Sequence, residues 1–575
     1  MLDTKPAPSR VTVTDAQPVT PKPSGLRLTT SGWRQWLNGK DGLRLLRIAV
    51  VLGLIGFVIV PIVATIVMGS RADFELLLAN PAVHDATRNS LVSSAMSALA
   101  ATALGVGFAV IFERFRFPGQ NLLRWFLLIP FLIPPFIGAM SWMALLGVNG
   151  PANQVLSQLG IDHTFSIFGG TGVIFLLTVH SYPIAYLVIS AAIRQVPGNL
   201  EEAARISGAS NWTVLRTTTL PLIRPGMKAA FMLTFVSSLS DFGIPALIGL
   251  PERYTTLTTL VYRELSSSSS TNPLPEVSAI SMVLMAVALV AILAQRRGAH
   301  STQITASASA RHYQTGVLGV IAMAVTWLWV VVVSILPMLA LASQALLPAP
   351  GVPLTLENIT LDNLVTAVTS PTAVTGIQNS VLLAGGAAGI TSILGLGVAL
   401  LLARSKHPIN PSIDVVANLP QALPGLVIAV GWLLVAPALG IFNTPVVILV
   451  AYVMAFLALV VQQLRGPLAT VSATLEEAAT ISGASRLRAI IGITGRIVAP
   501  VAATGAIMVF LTAVRELTIS ILLVAPGSQT LGVAIFNLQQ AGNYNAASAL
   551  ALIVAIVGIA GLSITAAVTS KRQGN

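Results

Sequence analysis

The chain has 575 residues, 54% of them hydrophobic and only 9% charged, with no cysteine and a formal net charge of +12. Soluble domains carry roughly 25% charged residues, so this deficit excludes an ordinary soluble protein. The lack of cysteine also excludes disulfide frameworks, thiolate metal sites and thiol catalysis.

The first 42 residues are polar, basic and rich in Pro and Thr, and read as a disordered cytoplasmic tail. The first apolar run lies too far in and is too long to be a secretory signal. A bilayer takes ~20 helical residues to cross. About twelve stretches reach that length: 46–68, 90–112, 122–146, 169–192, 227–250, 277–295, 316–341, 380–402, 413–434, 445–462, 501–524 and 545–568. They are continuously apolar rather than alternating, which selects helices over barrel strands. The expected fold is therefore an all-α polytopic membrane protein of about 12 transmembrane helices. The third and ninth spans contain prolines and are expected to be the least regular.

Basic residues set the orientation. With the N-terminus inside, 27 of the 32 Lys and Arg fall on inner segments; Arg71, Arg88, Arg253 and Arg263 lie outside and Arg515 lies in a span. The positive-inside rule then places both termini in the cytoplasm. Asp73, Glu75, Asp85, Asp162, Glu252, Glu264, Glu276, Glu357 and Asp362 make the outer face acidic.

The two halves repeat. Asn89-Ser90 matches Asn379-Ser380 at an offset of 290, which also pairs Pro81 with Pro371, Pro118 with Pro408, Pro130 with Pro420, Pro134 with Pro424 and Trp142 with Trp432. Residues 201–210 (EEAARISGAS) and 476–485 (EEAATISGAS) agree at nine of ten positions at an offset of 275. The change of offset places 15 extra residues in the first half, in the outer loop around 147–168. Six spans per unit make the repeats parallel, related by a pseudo-two-fold axis along the membrane normal. The expected units are a tail (1–42), a first transmembrane domain (43–295) with an inner loop at 194–226, a cytoplasmic connector (296–315), a second transmembrane domain (316–570) with an inner loop at 465–500, and a short tail (571–575).

The repeated block lies in the largest inner loop of each half and reads as helix, tight turn, helix. Ala203, Ala204 and Ser207 form a small-residue face, Gly208 ends the helix in the left-handed conformation, and Ser210 caps the next one. Trp212 and Leu215 follow at i, i+3. The second copy supplies Ala478, Ala479, Ser482, Gly483 and Ser485, then Leu487 and Ile490. A plain connector hairpin is the alternative reading.

Glu-Ala-Ala, three residues, then Gly resembles the coupling loop of type I, binding-protein-dependent ABC importer permeases. Both copies match there and at the later Pro225 and Pro500. The first copy also has the family's Leu220-Pro221, where the second has Gly495-Arg496. The resemblance implies that Glu201, Glu202, Ala203, Ala204, Gly208, Trp212 and Leu215 seat one ATPase subunit, and that Glu476, Glu477, Ala478, Ala479, Gly483, Leu487 and Ile490 seat another. The chain has no GxxxxGK[ST] phosphate loop. Two copies of a separate ATPase, which bind ATP and Mg, and an extracytoplasmic binding protein are therefore implied in a bacterial inner membrane. No cofactor of this chain, no nucleic acid partner and no enzymatic activity are expected.

Asp241 and Glu516 lie within the fifth and eleventh spans, again at an offset of 275, with Arg515 beside the latter. Intramembrane ionisable groups cost on the order of 3 kcal/mol unless they face a cavity or a partner. One reading has them line a route for a cationic substrate; the other has Glu516 pair locally and Asp241 accept backbone hydrogen bonds near Gly243 and Pro245. Pro134 and Pro424 mark helix breaks that either border the pathway or only kink the spans. His180 in the fourth span reads as a packing residue, and no metal site is assigned. SLSDFGIPALIG (237–248), VRELTISILL (514–523) and TLGVAIFNLQQAG (530–542) resemble the fused permeases of ferric-iron importers. Related permeases for 2-aminoethylphosphonate, thiamine and polyamines share the scaffold. A secondary transporter with two six-helix halves is the competing class.

Overall fold

The computed structural model describes residues 43–147, 150–161, 164–267, 272–298 and 316–573. The expected tail at 1–42 and residues 299–315 of the connector lie outside them. All regular structure among the described residues is helical. The first half comprises α1 (Arg44–Gly69), α2 (Pro81–Arg114), α3 (Gln120–Leu132), α4 (Pro135–Leu146), α5 (Gly170–Arg194), α6 (Gly198–Ile206), α7 (Asn211–Ser240), α8 (Pro245–Glu252), α9 (Leu257–Ser266) and α10 (Leu274–Gly298). The second comprises α11 (Val317–Ala345), α12 (Pro371–Arg404), α13 (Asn410–Ala422), α14 (Gly425–Val435), α15 (Pro445–Thr470), α16 (Thr474–Ile481), α17 (Leu487–Val514), α18 (Ser520–Leu523), α19 (Leu531–Gln540) and α20 (Tyr544–Gln573). Among the described residues, nine helices are long and apolar enough to cross a membrane, or up to 12 if bent pairs count as single spans.

The third and ninth spans are broken as expected, bending by 102° before Pro135 and by 108° before Gly425. The fifth span also breaks, which the apolar run 227–250 did not reveal. Helix α7 begins at Asn211, stops at Ser240 and meets α8 at 58°. Asp241 takes an extended backbone and its carboxylate accepts the Ile244 N–H at 2.8 Å, closing off α7 and starting the next turn. The eleventh span, expected as one run at 501–524, likewise stops at Val514.

Prolines lacking an N–H for the i−4 bond account for further irregularities. Wide π turns at Ile55–Ile59 and Val331–Ile335 precede Pro61 and Pro337, and one at Leu215–Thr219 precedes Pro221. The second hairpin has a π segment at Ile490–Gly495 although it lacks that proline, so Gly495-Arg496 leaves the local geometry equivalent.

Two buried cores form. The first half supplies most of one, with second-half residues added from α11 (Val330, Val333, Leu341), α14 (Leu426, Val430), α19 (Phe536) and α20 (Leu550). The second half supplies most of the other, with α1 residues Val50, Leu54 and Val58 added. Each half thus lends its first helix to its neighbour. The close α2–α5 and α12–α15 packings run over paired glycines. A Cβ on Gly105 would come within 2.8 Å of Ala185, and one on Gly395 within 2.9 Å of Val460.

The repeated Asn-Ser pair has a specific task. Ser90 Oγ accepts the Leu257 N–H at 2.7 Å and Ser380 Oγ accepts the Leu531 N–H at 2.8 Å, holding the start of α9 and α19. Asn89 and Asn379 donate to the carbonyls of Thr255 and Gln529, at 3.0 and 2.9 Å.

Candidate functional site

Each inner loop folds as two short helices around a glycine. Helix α6 closes with a Schellman motif: Gly208 N–H donates to Arg205 O at 2.9 Å and Ala209 N–H to Ala204 O at 3.0 Å, with Gly208 at φ 86°. In α16, Gly483 N–H donates to Thr480 O at 3.0 Å and Ala484 N–H to Ala479 O at 3.0 Å, with Gly483 at φ 89°. Ser210 Oγ accepts the Thr213 N–H at 3.2 Å and caps the following helix.

The hairpins are bolted to the membrane core by buried charge. Arg114 at the end of α2 donates to Glu201 Oε1 at 2.7 Å, with both side chains essentially inaccessible (0% and 1%). Thr219 Oγ1 donates to the same oxygen at 2.7 Å. In the second half Arg404 Nε donates to Glu476 Oε1 at 2.6 Å, and Thr494 Oγ1 donates to it as well. Thus Glu201 and Glu476, read from sequence as docking residues, turn inward and position the hairpins. Ile490 is also fully buried, whereas Leu215 and Leu487 are half-buried.

Glu202, Ala203, Glu477 and Ala478 face outward, Ala204 and Ala479 are half-buried, and Trp212 is exposed. On the hairpins the most exposed large apolar groups are Ile206 and Ile481, both at 87%. Sequence reasoning passed over these two, although both copies of the block carry them. Arg114 and Arg404 were missed too; their signal was the 290-residue offset they share with Asn89 and Asn379.

The intramembrane residues converge at the helix breaks. Asp241, Glu516, Arg515, Pro134 and His180 line one cavity of about 200 Å³; Pro424, buried at the break before α14, is not among its lining residues. Glu516 accepts the Ile519 N–H at 2.8 Å and the Ser520 hydroxyl at 3.0 Å. It therefore mirrors Asp241 and its Ile244 bond at the same 275 offset. The acids cap local turns and border the cavity, so the two readings offered by the sequence coexist geometrically. Arg515 crosses to the other half and donates to the Leu132 carbonyl at the α3–α4 break. Pro134 lacks an N–H, which leaves the Pro130 carbonyl without its helical donor, and His180 Nδ1 lies 3.1 Å from that oxygen. The same cause frees Phe126 O, which accepts Ser334 Oγ from α11 at 3.2 Å. His180 is thus a helix-break partner, as a packing role requires.

Residues 101–344 and 369–573 each match the family described as binding-protein-dependent transport system inner membrane component. The chain belongs to that family, as a multi-pass inner-membrane permease of a binding-protein-dependent ABC importer with both halves in one polypeptide. It is 25% identical over 498 residues to the Fe(3+)-transport system permease protein FbpB 2 of Haemophilus influenzae, covering 85% of this chain and 90% of that one. It is 23% identical to the ferric transport system permease protein FbpB of Actinobacillus pleuropneumoniae, covering 82% of this chain and 69% of the relative. It is 30% identical over 203 residues to the molybdenum transport system permease protein ModB of Escherichia coli, covering 35% of this chain and 87% of the relative. Among solved structures, the bacterial alginate ABC transporter in complex with an alginate pentasaccharide-bound periplasmic protein aligns at a TM-score of 0.40 and 20% identity, over 48% of this chain and 98% of the other.

Proposed function

We propose that this permease conducts ferric iron into the cytoplasm and has no ATP site of its own. Two copies of a cytoplasmic ABC ATPase dock on the twin hairpins, one per half, and bind the ATP and Mg. A periplasmic binding protein delivers substrate to the acidic outer face. Both termini are cytoplasmic, and the working units are residues 43–295 and 316–570.

The observation that carries this reading is the matched pair of hairpins, each with an isoleucine at 87% exposure above a buried Arg–Glu anchor. An apolar side chain so exposed on a rigid, duplicated element fits a pocket on a partner. When the ATPase pair closes, the hairpins approach each other. The anchors pass that motion to α2 and α12, and the continuous helices α7 and α17 carry it toward the cavity where Asp241 and Glu516 lie. Iron is favoured because ferric-transport relatives span 85% and 82% of the chain, whereas molybdenum relatives cover 46% and 35% of it and a sulfate relative 38%. Two carboxylates beside the path suit a cation.

The test is uptake by vesicles containing the permease and its ATPase. Iron-loaded binding protein should drive ATP-dependent accumulation. Uptake that survives ATP depletion with ion gradients intact would replace the importer by a secondary transporter. ATP-dependent uptake of 2-aminoethylphosphonate, thiamine or a polyamine instead of iron would overturn only the substrate.

A further inference from the structure

Two segments of the outer face have no counterpart in the opposite half. Between Leu146 and Gly170 the first half has 23 residues, with a short helix at Pro151–Gln158, where the second half has nine between Val435 and Pro445. Conversely, Pro61 and Pro337 are 276 residues apart while Pro81 and Pro371 are 290 apart, so the second half carries 14 more residues between those points. The structure places most of them in the loop 346–361. Although they come from different halves, these two segments meet and enclose a cavity of about 380 Å³, bordered by Gly150, Gln154 and Ala349, with Gln344, Gln539 and Asn545 among its lining.

Buried amides pin both segments. Asn153 Nδ2 donates to Gly147 O at 2.9 Å and Phe165 O at 3.0 Å, and its Oδ1 accepts the Phe165 N–H at 2.9 Å. Asn363 Nδ2 donates to Leu347 O at 2.7 Å. Asn545 Nδ2 donates to Gln344 O at 2.8 Å and Leu347 O at 2.7 Å. Only an N–H can serve those two carbonyls, so the orientation of the Asn545 amide is chemically fixed. Its Oδ1 is then left with no hydrogen-bond partner in a residue only 3% exposed. A buried acceptor in that state forfeits the hydrogen bond it would make in water. Gln539, 8% exposed, lines the same space. Among the described residues, the opposite half has no such site. In the registers that pair Ser278 with Ser548 and Pro61 with Pro337, Asn545 becomes Pro275 and Gln344 becomes Met68.

Resting on the binding-protein reading above, we propose that this cavity receives a surface loop from one domain of the binding protein and so selects one of two pseudo-equivalent docking orientations. The near-two-fold permease offers a two-domain partner two ways round; the half-specific cavity removes the choice. The occupant is a polar loop, since Gln344, Gln539 and Asn545 are among the residues lining the cavity. It is basic overall, because Glu357 and Asp362 are exposed on and beside the second-half segment.

The absence of cysteine permits single-cysteine mapping in the intact, reconstituted transporter. The probe is the binding protein that stimulates its ATP hydrolysis. A photo-cross-linker on Ala349→Cys should capture one domain of that protein only, and one on Ser70→Cys, in the opposite outer loop, the other domain only. Comparable capture of both domains from both positions overturns the inference. Ala349→Trp, exposed at the mouth, should raise the half-stimulating concentration of binding protein at least tenfold without changing basal hydrolysis, while Ser70→Trp leaves it unchanged. An unaltered half-stimulating concentration in Ala349→Trp also overturns it. Lack of stimulation in the unmodified transporter would instead remove the binding-protein reading on which the inference rests.

Discussion

Glu201 and Glu202 are neighbours in the same motif, yet one is sealed against Arg114 and the other faces solvent. Successive helical residues are ~100° apart around the axis, so a nine-residue helix lying on the membrane core must hide one and show the other. Composition could not say which, because both are Glu in both copies. Removing one partner of a fully buried ion pair costs about 3–5 kcal/mol, since it strands the other charge. Arg114→Met should therefore lower unfolding stability in detergent by that order. Adding Glu201→Gln should recover much of the loss, a coupling read from a double-mutant cycle. If the two single losses simply add, the pair is not a unit. Ile206 behaves oppositely: at 87% exposure it contributes nothing to the fold. Ile206→Asp with Ile481→Asp should leave melting unchanged and abolish co-purification of the ATPase. Retention of the ATPase by that double variant would remove the docking role.

At the scale of elements, the hairpins were legible because their chemistry is local. A Gly separated from Glu-Ala-Ala by three residues and followed by a serine cap specifies a Schellman turn without tertiary information. No heavy atom lies within 4 Å of a Cβ built on Gly208 or Gly483. The cost of a side chain there is therefore conformational, on the order of 1–2 kcal/mol for an L-residue held left-handed. Gly208→Val with Gly483→Val should keep the protein in the membrane but misdirect the second hairpin helix. ATP hydrolysis would then proceed without uptake; tight coupling in vesicles would count against this account. The broken spans were legible only in part. Pro130, Pro134, Pro135, Pro420 and Pro424 announced the third and ninth breaks. The fifth carries a single proline, Pro245, beside the serines Ser237, Ser238 and Ser240, and its stop comes from Asp241 capping the turn ahead of it. Such a cap reads as a buried charge until the backbone shows which N–H it accepts.

At the scale of the whole molecule, the repeat gave the pseudo-symmetry but not the exchange of first helices, because apolar faces carry no address for the half they pack on. That exchange ties the halves together, and Arg515 adds a polar link by bonding the Leu132 carbonyl across the interface. The cavity between the breaks is consequently built by both halves, with Asp241 from one and Glu516 from the other. Each acid has two properties there: it accepts a hydrogen bond from a backbone N–H three residues on, and it presents an ionisable carboxyl to the cavity. Asp241→Asn and Glu516→Gln separate them, since an amide oxygen can keep the cap while the charge is lost. If the charges lower the barrier for a cation, each variant should express and melt normally but take up ferric iron about tenfold more slowly, equivalent to ~1.4 kcal/mol at the barrier. Full uptake by both would assign the carboxylates to capping alone. Slow uptake by only one would show that the pseudo-symmetric halves contribute unequally to the path, as they do at the outer face.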